Sequence, residues 1–281
     1  MKYLITGSNG QLAFEFLNKI KKGDVYGFDI DKLDISDEKS LKECIDWLKP
    51  DIIINCAAYN NVDKAESDSE AAYKVNAYAL RNMALFSHKY KTKIVHFSTD
   101  YVFCGKEDFI PYGEEDAPAP LNKYGMSKLE GEKLLCLNYE DFLIFRVSWL
   151  YGRGKQNFIY KLNEWSNKFS EIKVSVDEVS VPTFTGFVAD ISIKSIDSDL
   201  KGLFHLVPKG FVSRYDWSKK VFNIAGKEVK IIRAKQSDFN LPAKRPSFSA
   251  MSSQKISVFF GINFESWDYY LERYLKEGEK L

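Results

Sequence analysis

Two side chains that suit a proton donor and its activator stand four residues apart, at Tyr124 and Lys128. On a helix this spacing places both on one face. A phenol with a pKa of about 10 gives up its proton slowly near neutral pH, and a neighbouring ammonium stabilises the phenolate. Ketone reduction needs such a pair, because hydride goes to the carbon and a proton goes to the oxygen. The pair therefore predicts a carbonyl-reducing site in which Lys128 can also hold ribose hydroxyls of the hydride donor.

A third candidate is Thr99, which follows the apolar run of a predicted strand. Its hydroxyl can polarise the carbonyl oxygen that is being reduced. Tyr-x-x-x-Lys on its own also occurs by chance on exposed helix surfaces, but two rival phenols, Tyr101 and Tyr112, have no Lys four residues on. Thr99, Tyr124 and Lys128 are thus the predicted catalytic trio.

A hydride donor is predicted by a glycine turn between a strand at 2–6 and a helix at 10–20. Gly7 permits the tight turn, Gly10 lets the backbone approach a pyrophosphate, and Ala13 is small enough for the helix to pack on the strand. The helix N-terminus offers free N–H groups to phosphates. A glycine turn alone is a weak signal, but its place on the first strand of an α/β pattern predicts a dinucleotide site.

An acidic residue about 20 positions after such glycines usually accepts a hydrogen bond from the ribose 2′-OH. Asp29 stands there and favours NADH, because it would repel a 2′-phosphate, although nearby Lys32 weakens the preference. Alternatively, Asp29 and Asp31 are solvated loop carboxylates. Two further segments follow predicted strands: Asp34-Ile35, which can line an adenine, and Ala57-Ala58, which either leaves room for a flat cofactor or packs a helix on the sheet.

The first half of the chain supplies the scaffold that these residues need. Short apolar runs predict buried strands, and the longer amphipathic runs between them predict helices. Strands buried on both faces form a parallel sheet, and right-handed crossovers make it doubly wound, or Rossmann-type. Beyond the first strand and helix, the sequence predicts strands at 24–28, 51–55, 93–98 and 142–146 and helices at 39–48, 69–88 and 123–137.

The pattern loosens after residue 151, where several prolines interrupt it. The sequence predicts a dinucleotide-binding domain over residues 1–150. Residues 151–281 are predicted to form mainly a smaller α/β substrate-binding lobe, with chain crossings back to the main sheet. The predicted elements of this half are helices at 157–169, 187–196, 215–225 and 267–276 and strands at 172–176 and 203–207.

The composition excludes several classes of protein. Hydrophobic residues make up 45% and charged residues 28% of the 281 residues, which is typical of a soluble globular protein. Lys+Arg total 40 and Asp+Glu 39, so no global field attracts nucleic acid or a membrane surface. No window approaches the ~20 apolar residues of a membrane helix, and no signal peptide is present. The four cysteines form no CxxC pair and the three histidines are scattered, which predicts a cytoplasmic protein with free thiols and no metal site.

Together these motifs resemble the dTDP-4-dehydrorhamnose reductase family of the extended short-chain dehydrogenase/reductase superfamily. The resembling segments run from residue 2 to about residue 250. Two blocks are fairly specific to that family: Ser-Thr-Asp-Tyr-Val-Phe at 98–103 and Arg-x-Ser-Trp-x-Tyr-Gly at 146–152. The others lie at 5–12, 50–59, 62–66, 118–125, 157–158, 182–183 and 245–246.

The resemblance implies a role for each matching residue. It makes Thr99, Tyr124 and Lys128 catalytic. It assigns dinucleotide contacts to Gly10, Gln11, Leu12, Asp34, Ile35, Ala57, Ala58, Tyr59 and Lys128. It assigns the sugar to Asp100, Tyr101 and Trp149, with Trp149 offering a flat apolar face, and the nucleotide end of the substrate to Asn157 and Arg245. An Arg suits a diphosphate because its fork donates two parallel hydrogen bonds. The alternatives are a core aromatic at Trp149 and, at Arg245, a solvated basic pair with Lys244.

Departures from the family pattern fall mainly on the substrate side. Glu178 and Ser180 replace the Gln and Gly of Asp-Gln-x-Gly-x-Pro-Thr, and Arg214 replaces the Trp of Trp-Tyr-Asp. Asn60-Asn61 stands where relatives have His or Tyr followed by Thr. These changes leave the reaction type intact and the sugar open. Some relatives bind Mg²⁺ at a dimer contact, so Mg²⁺ is implied by resemblance only, and no ligand residues match here.

The leading hypothesis is an enzyme that uses NADH or NADPH to reduce the 4-keto group of a nucleotide-activated deoxysugar, converting dTDP-4-dehydro-L-rhamnose to dTDP-L-rhamnose. The same chemistry on a CDP- or UDP-linked sugar stays open, as does a non-catalytic, dinucleotide-binding regulatory subunit. A dehydratase is disfavoured, because these enzymes usually carry an acidic pair beside the Ser/Thr and only Asp100 follows Thr99. The partners expected are a nucleotide sugar and, at most, a second copy in a homodimer, without nucleic acid or membrane.

Overall fold

The structure, a computed structural model, describes residues 1–277, and this part of the chain contains twelve strands and eleven α-helices. The strands are β1 (Lys2–Thr6), β2 (Asp24–Phe28), β3 (Ile52–Asn55), β4 (Lys93–Thr99), β5 (Phe142–Val147), β6 (Leu150–Tyr151), β7 (Glu171–Ser175), β8 (Val179–Ser180), β9 (Thr183–Phe184), β10 (Gly202–His205), β11 (Val212–Ser213) and β12 (Lys230–Ala234). The helices are α1 (Gln11–Lys19), α2 (Glu38–Leu48), α3 (Lys64–Ser67), α4 (Ser69–Tyr73), α5 (Ala79–Ser87), α6 (Lys123–Asn138), α7 (Phe158–Lys168), α8 (Thr185–Asp197), α9 (Arg214–Ile224), α10 (Gln254–Phe260) and α11 (Trp267–Glu277).

The main sheet has six strands in the order β10-β5-β4-β3-β1-β2. Every neighbouring pair in it is parallel. The carboxyl ends of these strands therefore share one edge, where the loops that carry the candidate residues begin. The predicted doubly wound parallel sheet is confirmed.

Successive residues of the central strands enter opposite cores. In β3, Ile52 and Ile54 join the core formed with α1 and α8, whereas Ile53 joins the core formed with α2 and α5. All four residues of β3 are buried, which explains why this strand is a continuous apolar run rather than an alternating one. Each core covers one face of the sheet and fixes its strands in register.

The helices on the sheet begin and end where local chemistry sets their limits. At the start of α2, the Asp37 carboxylate accepts hydrogen bonds from the backbone N–H groups of Lys39 and Ser40. The helix ends at Lys49, which is left-handed at φ 48°, and Pro50 follows. The predicted strands and helices of residues 1–150 all occur in the structure, apart from one.

The single helix predicted over 69–88 is wrong. The structure has α4, then a π-helical turn at Lys74–Tyr78, then α5. The turn places the Asn76 carbonyl against α6 so closely that a Cβ on Gly131 would lie 2.0 Å from its oxygen. The Asn76 side chain contacts the same helix, where its Nδ2 donates to Ser127 Oγ at 2.9 Å. The wider π-helical turn accommodates this contact. The spacing of apolar residues in the sequence gives no sign of such a turn.

The second half of the chain builds a smaller lobe and also returns to the main sheet. Strands β7 and β12 pair in parallel, and a separate core joins them to α7, α9 and α11. In contrast, β10 pairs with β5, and α8 packs on α1. Neither β12 nor α10 was predicted. The division near residue 150 stays a prediction. None of the helices in residues 1–277 is long and apolar enough to span a membrane.

Candidate active site

The turn between β1 and α1 has the geometry that its glycines predict. Gly7 has a φ of +64°, and a Cβ there would lie 2.8 Å from the Cα of Ala57, so a larger residue is excluded. The Gly10 N–H donates to the Gly7 carbonyl at 2.9 Å and closes the turn. No side chain among the described residues caps the N-terminus of α1. Its first-turn N–H groups are therefore available to an anionic ligand.

Two adjoining cavities lie at the carboxyl ends of β1, β3 and β4. The glycine-turn cavity has a volume of about 320 Å³, and the Tyr124 cavity has about 270 Å³. Both are lined by Gly10, Ala57 and Ala58. The other predicted dinucleotide residues divide between them, with Gly7, Asp29, Asp34, Ile35 and Tyr59 in the glycine-turn cavity and Gln11, Leu12 and Lys128 in the Tyr124 cavity. The structure thus brings all of these residues to one groove.

Asp29 is tied to the glycine turn rather than left in solvent. Its Oδ2 accepts a hydrogen bond from the Asn9 N–H at 2.8 Å, and its Oδ1 accepts one from the Ile30 N–H at 2.8 Å. These bonds fix the carboxylate at the rim of the glycine-turn cavity. Lys32, the residue expected to weaken an NADH preference, is exposed.

The start of α6 places Tyr124. The Asn122 side chain caps the helix by accepting from the Gly125 N–H at 2.8 Å. A Cβ on Gly125 would lie 2.2 Å from the Tyr101 carbonyl oxygen, so only glycine lets α6 approach the turn after β4 this closely. The rings of Tyr101 and Tyr124 consequently meet edge to face with centroids 6.0 Å apart. Thr99, Tyr124 and Lys128 then all line the Tyr124 cavity.

Lys128 is buried, and its side chain runs to β4. Its Nζ donates to the Phe97 carbonyl oxygen at 2.6 Å and lies 3.2 Å from His96 Nε2. Burial lowers the pKa of Lys128 to about 8, and the charge of Glu132 opposes this shift. The pKa of Lys128 is therefore much nearer to neutral pH than the pKa of an ordinary lysine.

Tyr124 corrects one expectation. We expected the Lys128 ammonium to bring down the pKa of this phenol, but burial raises the Tyr124 pKa to about 12. A hydrogen bond with Thr99 opposes the rise and the charge of Asp100 adds to it. Lys128 instead gives its hydrogen bonds to β4. Tyr124 is thus fully protonated at neutral pH, which suits a proton donor.

Asp100 lines the Tyr124 cavity and is held by two hydroxyls. Ser180 Oγ donates to its Oδ2 at 2.9 Å, and Ser249 Oγ donates to the same oxygen at 2.5 Å. Burial raises the Asp100 pKa to about 6, although both serines, Arg214 and Thr99 favour the carboxylate. The side chain therefore changes charge close to neutral pH.

A larger cavity, of about 710 Å³, opens on the lobe side of Tyr101. We name it the Arg214 cavity; it is also lined by Asp63, Glu178 and Arg245. Arg245 donates to both carboxylate oxygens of Asp63, at 3.1 and 2.7 Å. The Asp63 carboxylate thus holds the Arg245 guanidinium in place. This arrangement differs from the alternative, a solvated basic pair of Arg245 and Lys244.

Arg214 lies at the boundary between the Tyr124 cavity and the Arg214 cavity. Its guanidinium carbon lies 3.6 Å from the Trp149 ring centroid, and its Nε donates to Glu178 Oε1 at 3.3 Å. The Tyr101 hydroxyl donates to the same Glu178 oxygen at 3.4 Å. Trp149 belongs to the Tyr124 cavity, so Arg214 and Trp149 form part of the wall between the cavities.

Trp149 differs from the expected flat apolar face. The residue is 9% exposed, stacks on Trp217 with centroids 5.6 Å apart, and carries the Arg214 guanidinium on its ring. Its backbone has a φ of 42°, which a bulky residue rarely adopts. The surrounding aromatic core holds this strained residue at the cavity wall.

The family model described as RmlD substrate binding domain matches residues 1–280. The chain belongs to this family. The spore coat polysaccharide biosynthesis protein SpsK of Bacillus subtilis (strain 168) is 33% identical over 278 residues, covering 98% of this chain and 97% of that protein. The dTDP-4-dehydrorhamnose reductase of Escherichia coli (strain K12) is 33% identical over 293 residues, covering 99% and 98%. A crystal structure of the Bacillus anthracis dTDP-4-dehydrorhamnose reductase in complex with NADP has a TM-score of 0.94 at 34% identity, covering 99% of each chain.

Membership of the RmlD substrate binding domain family confirms the resemblance drawn from the motifs. Three residues that depart from the family pattern also make contacts with one another or with a cavity residue. Glu178 and Arg214 both depart from this pattern, and in the structure they form an ion pair with each other. Ser180 departs as well, and its hydroxyl binds Asp100. Three changes that are scattered along the sequence therefore line the Arg214 cavity or contact Asp100 of the Tyr124 cavity.

Asn157 lies immediately before α7. It caps α7 by accepting from the Tyr160 N–H at 3.0 Å, and its Nδ2 donates to the carbonyls of Gly152 and Gly154. These backbone contacts engage both ends of its amide, and it lines neither the Tyr124 nor the Arg214 cavity. Its Nδ2 also lies 3.4 Å from Oε1 of Gln11 in the Tyr124 cavity, and the assignment of Asn157 to the substrate stays a prediction.

Sequence reasoning missed Arg214, Glu178 and His96 as site residues. The first two carried a signal, since both stand at departures from the family pattern. His96 carried none, because a histidine within an apolar strand is usually a core residue. Its contact with Lys128 depends on how α6 packs on β4.

Proposed function

We propose that this chain reduces the 4-keto group of a nucleotide-activated deoxysugar with NADH or NADPH. One observation carries the proposal: Thr99, Tyr124 and Lys128 share a cavity that adjoins the glycine-turn cavity on one side. On its other side, Trp149 and Arg214 divide it from a cavity that contains two arginines. This order suits a dinucleotide, a reacting sugar and a diphosphate in line.

The groups of the Tyr124 cavity match the chemistry. A reduced dinucleotide held along the glycine turn and Ala57-Ala58 would supply hydride to the substrate carbon. Tyr124, protonated at neutral pH, gives its proton to the oxygen, and the Thr99 hydroxyl donates a hydrogen bond to that oxygen. Lys128, whose Nζ is anchored on the Phe97 carbonyl oxygen, would hold the ribose hydroxyls beside the nicotinamide. Arg214 and Arg245 offer donors to the diphosphate once it competes with their carboxylate partners.

The leading substrate is dTDP-4-dehydro-L-rhamnose, and dTDP-L-rhamnose is its product. The names of the E. coli and B. anthracis relatives support this choice. The Glu178–Arg214 pair favours a second candidate, the same reduction on another nucleotide sugar, because it adds a cation and an anion beside Trp149. Nothing in the catalytic trio distinguishes the two.

The finer assignments are also proposals. Residues 1–150 form the dinucleotide-binding domain, and most of residues 151–281 form the substrate lobe. Asp29 favours NADH, since its fixed carboxylate would repel a 2′-phosphate, although the B. anthracis relative was crystallised with NADP. Within residues 1–277, no group of three or more His, Cys, Asp or Glu side chains is arranged to hold a metal ion, so we assign no residue to Mg²⁺.

The test follows the loss of NADH or NADPH absorbance while dTDP-4-keto-6-deoxy-L-mannose is generated in place. Oxidation that requires the sugar supports the proposal and reveals the preferred cofactor. If the sugar causes no oxidation in protein that binds dinucleotide, CDP- and UDP-linked 4-keto sugars are tried next. Failure with all of them overturns the reductase assignment.

A further inference from the structure

A row of buried polar side chains crosses three neighbouring strands of the main sheet and ends at Lys128. Thr6 of β1 is paired in register with Asn55 of β3, and Asn55 with His96 of β4. Thr6 Oγ1 donates to Asn55 Oδ1 at 2.6 Å, and Asn55 Nδ2 lies 3.1 Å from His96 Nδ1. His96 Nε2 then lies 3.2 Å from Lys128 Nζ. We call Thr6, Asn55 and His96 the polar row.

Every member of the polar row is buried: Thr6 is 0%, Asn55 1% and His96 1% exposed. Buried polar groups of this kind must satisfy one another. Each hydrogen-bonding choice therefore constrains the next one along the row. The row begins one residue before Gly7, so it also connects the glycine turn to the candidate catalytic lysine.

The chemistry of imidazole gives the polar row two consistent arrangements. An ammonium at Lys128 needs the Nε2 lone pair of His96, which leaves the ring proton on Nδ1 and requires Asn55 to turn its oxygen towards it. A neutral amine at Lys128 accepts from Nε2–H instead, and Nδ1 then accepts from Asn55 Nδ2. The protonation of Lys128 is thus coupled to the tautomer of His96 and to the rotation of the Asn55 amide.

The other groups around Lys128 cannot take over this role. Tyr124 and Glu132 share its helix, and Glu132 is already bound by both arms of Arg146, at 2.9 and 2.7 Å. From β3 only Cys56 faces it, and burial raises the pKa of that thiol so that it stays neutral. From β4 come the Phe97 carbonyl and His96, whose pKa burial lowers well below its ordinary value. A neutral imidazole is therefore the one adjustable hydrogen-bond partner that Lys128 has within the described residues.

We propose that His96 is a positioning residue: Thr6 and Asn55 hold its ring proton on Nε2, and this N–H donates to the neutral Lys128 amine. Through this contact the polar row determines the pH at which Lys128 loses its proton. The proposal concerns the protonation of Lys128, and it bears on turnover only if the proposed function holds.

The test is a titration of Lys128 in the full chain. Lysine labelled with ¹³C at the ε carbon is followed by NMR, and the Lys128 signal is assigned by its loss in Lys128→Met. We expect a wild-type midpoint near the pKa of about 8. In His96→Phe the neutral amine loses its donor, so the midpoint rises by about one pH unit. In His96→Gln the side-chain N–H restores the donor, and the midpoint returns to within a few tenths of wild type.

A matched control separates this role from the general effect of removing a buried imidazole. His205 is also fully buried, but its Nδ1 contacts the Tyr112 carbonyl and it does not line the Tyr124 cavity. His205→Phe should leave the Lys128 midpoint unchanged. An unshifted midpoint in His96→Phe, or equal shifts in His96→Phe and His96→Gln, would overturn the proposal.

A second variant covers the case in which His96→Phe does not fold. Asn55→Asp supplies only acceptors, which holds the ring proton on Nδ1 and frees Nε2 for the ammonium, so the Lys128 midpoint rises. Adding His96→Gln to this variant removes the part of the rise that passes through the ring, and an undiminished rise contradicts the coupling. Because these titrations need no substrate, they stand or fall apart from the reductase assay. If both hold, the alkaline limb of kcat moves with the Lys128 midpoint.

Discussion

The guanidinium carbon of Arg214 lies 3.6 Å from the ring centroid of Trp149, so a cation covers part of the indole at the junction of two cavities. The same guanidinium is paired with Glu178. A guanidinium stacked on an aromatic ring and bound to a carboxylate loses little side-chain freedom when a ligand arrives. The contact therefore places a preorganised charge between the expected positions of the sugar and its diphosphate.

Replacement of Arg214 should impair substrate binding more than the chemical step. Arg214→Gln removes a charge-assisted donor and the contact with Trp149, so we expect kcat/KM to fall about tenfold, mainly through KM. Steady-state kinetics with the nucleotide sugar varied measure the effect. Arg233→Gln is a matched control, because Arg233 is an exposed arginine 4.9 Å from the centroid of the Tyr215 ring and lines none of these cavities. Equal KM values in wild type and Arg214→Gln would exclude a role in substrate binding.

Removal of the Tyr124 hydroxyl should abolish most turnover and leave dinucleotide binding intact. Tyr124→Phe keeps the ring that contacts Tyr101 but removes the proton donor, and general acid catalysis contributes about 10²–10⁴-fold. Stopped-flow absorbance measures turnover, and quenching of protein fluorescence measures binding. Tyr112→Phe removes a comparable buried phenol that bonds the Gly105 N–H and should keep most activity. Turnover above about a tenth of wild type in Tyr124→Phe would reject the assigned proton donor.

The main sheet could be predicted from the sequence because its central strands are buried on both faces and therefore form continuous apolar runs. Ile52, Ile53 and Ile54 show this most clearly, and the residues after such strands then had to meet at one edge. The π-helical turn at Lys74–Tyr78 could not be predicted, because its cause is the approach of Gly131 on another helix.

The candidate site likewise contains features that the sequence predicts and features that it does not. The glycine turn and the Tyr124–Lys128 pair are local patterns with their own spacing, so the sequence shows them directly. The contacts of His96 with Lys128 and of Arg214 with Glu178 join residues 32 and 36 positions apart. No local period records such contacts. Likewise, the pKa of Tyr124 depends on burial, which outweighs the lysine that the spacing alone suggested.

Asp100 should make the stability of the protein depend on pH in a definite direction. Its pKa is about 6 in the folded chain and 3.8 for an ordinary aspartate, so the unfolded state favours the carboxylate more than the folded state does. Ionisation of Asp100 therefore lowers stability as the pH rises from about 4 through about 6, and its contribution is constant at higher pH. Relative to Asp100→Asn, the wild-type free energy of unfolding should decrease by about 2 kcal/mol between pH 4 and pH 8.

Urea denaturation of both proteins across this range measures the difference. Ser249→Ala provides an internal check, because the Ser249 hydroxyl donates to Asp100 Oδ2 and favours its carboxylate. Without that donor, the pH interval over which stability is lost should extend upwards. A difference between wild type and Asp100→Asn that does not change with pH would contradict the assigned shift.

Asp29 should control the choice between NADH and NADPH. Its carboxylate is fixed by the Asn9 and Ile30 N–H groups, so it cannot easily turn away from a 2′-phosphate. We expect wild type to prefer NADH and Asp29→Asn to lose about tenfold or more of that preference, because the amide removes the negative charge and keeps an acceptor. The ratio of kcat/KM for the two cofactors measures it. Asp31→Asn, an exposed carboxylate two residues on, should leave the ratio unchanged. A wild-type preference for NADPH, or an unchanged ratio in Asp29→Asn, would show that another group discriminates between the 2′-OH and the 2′-phosphate.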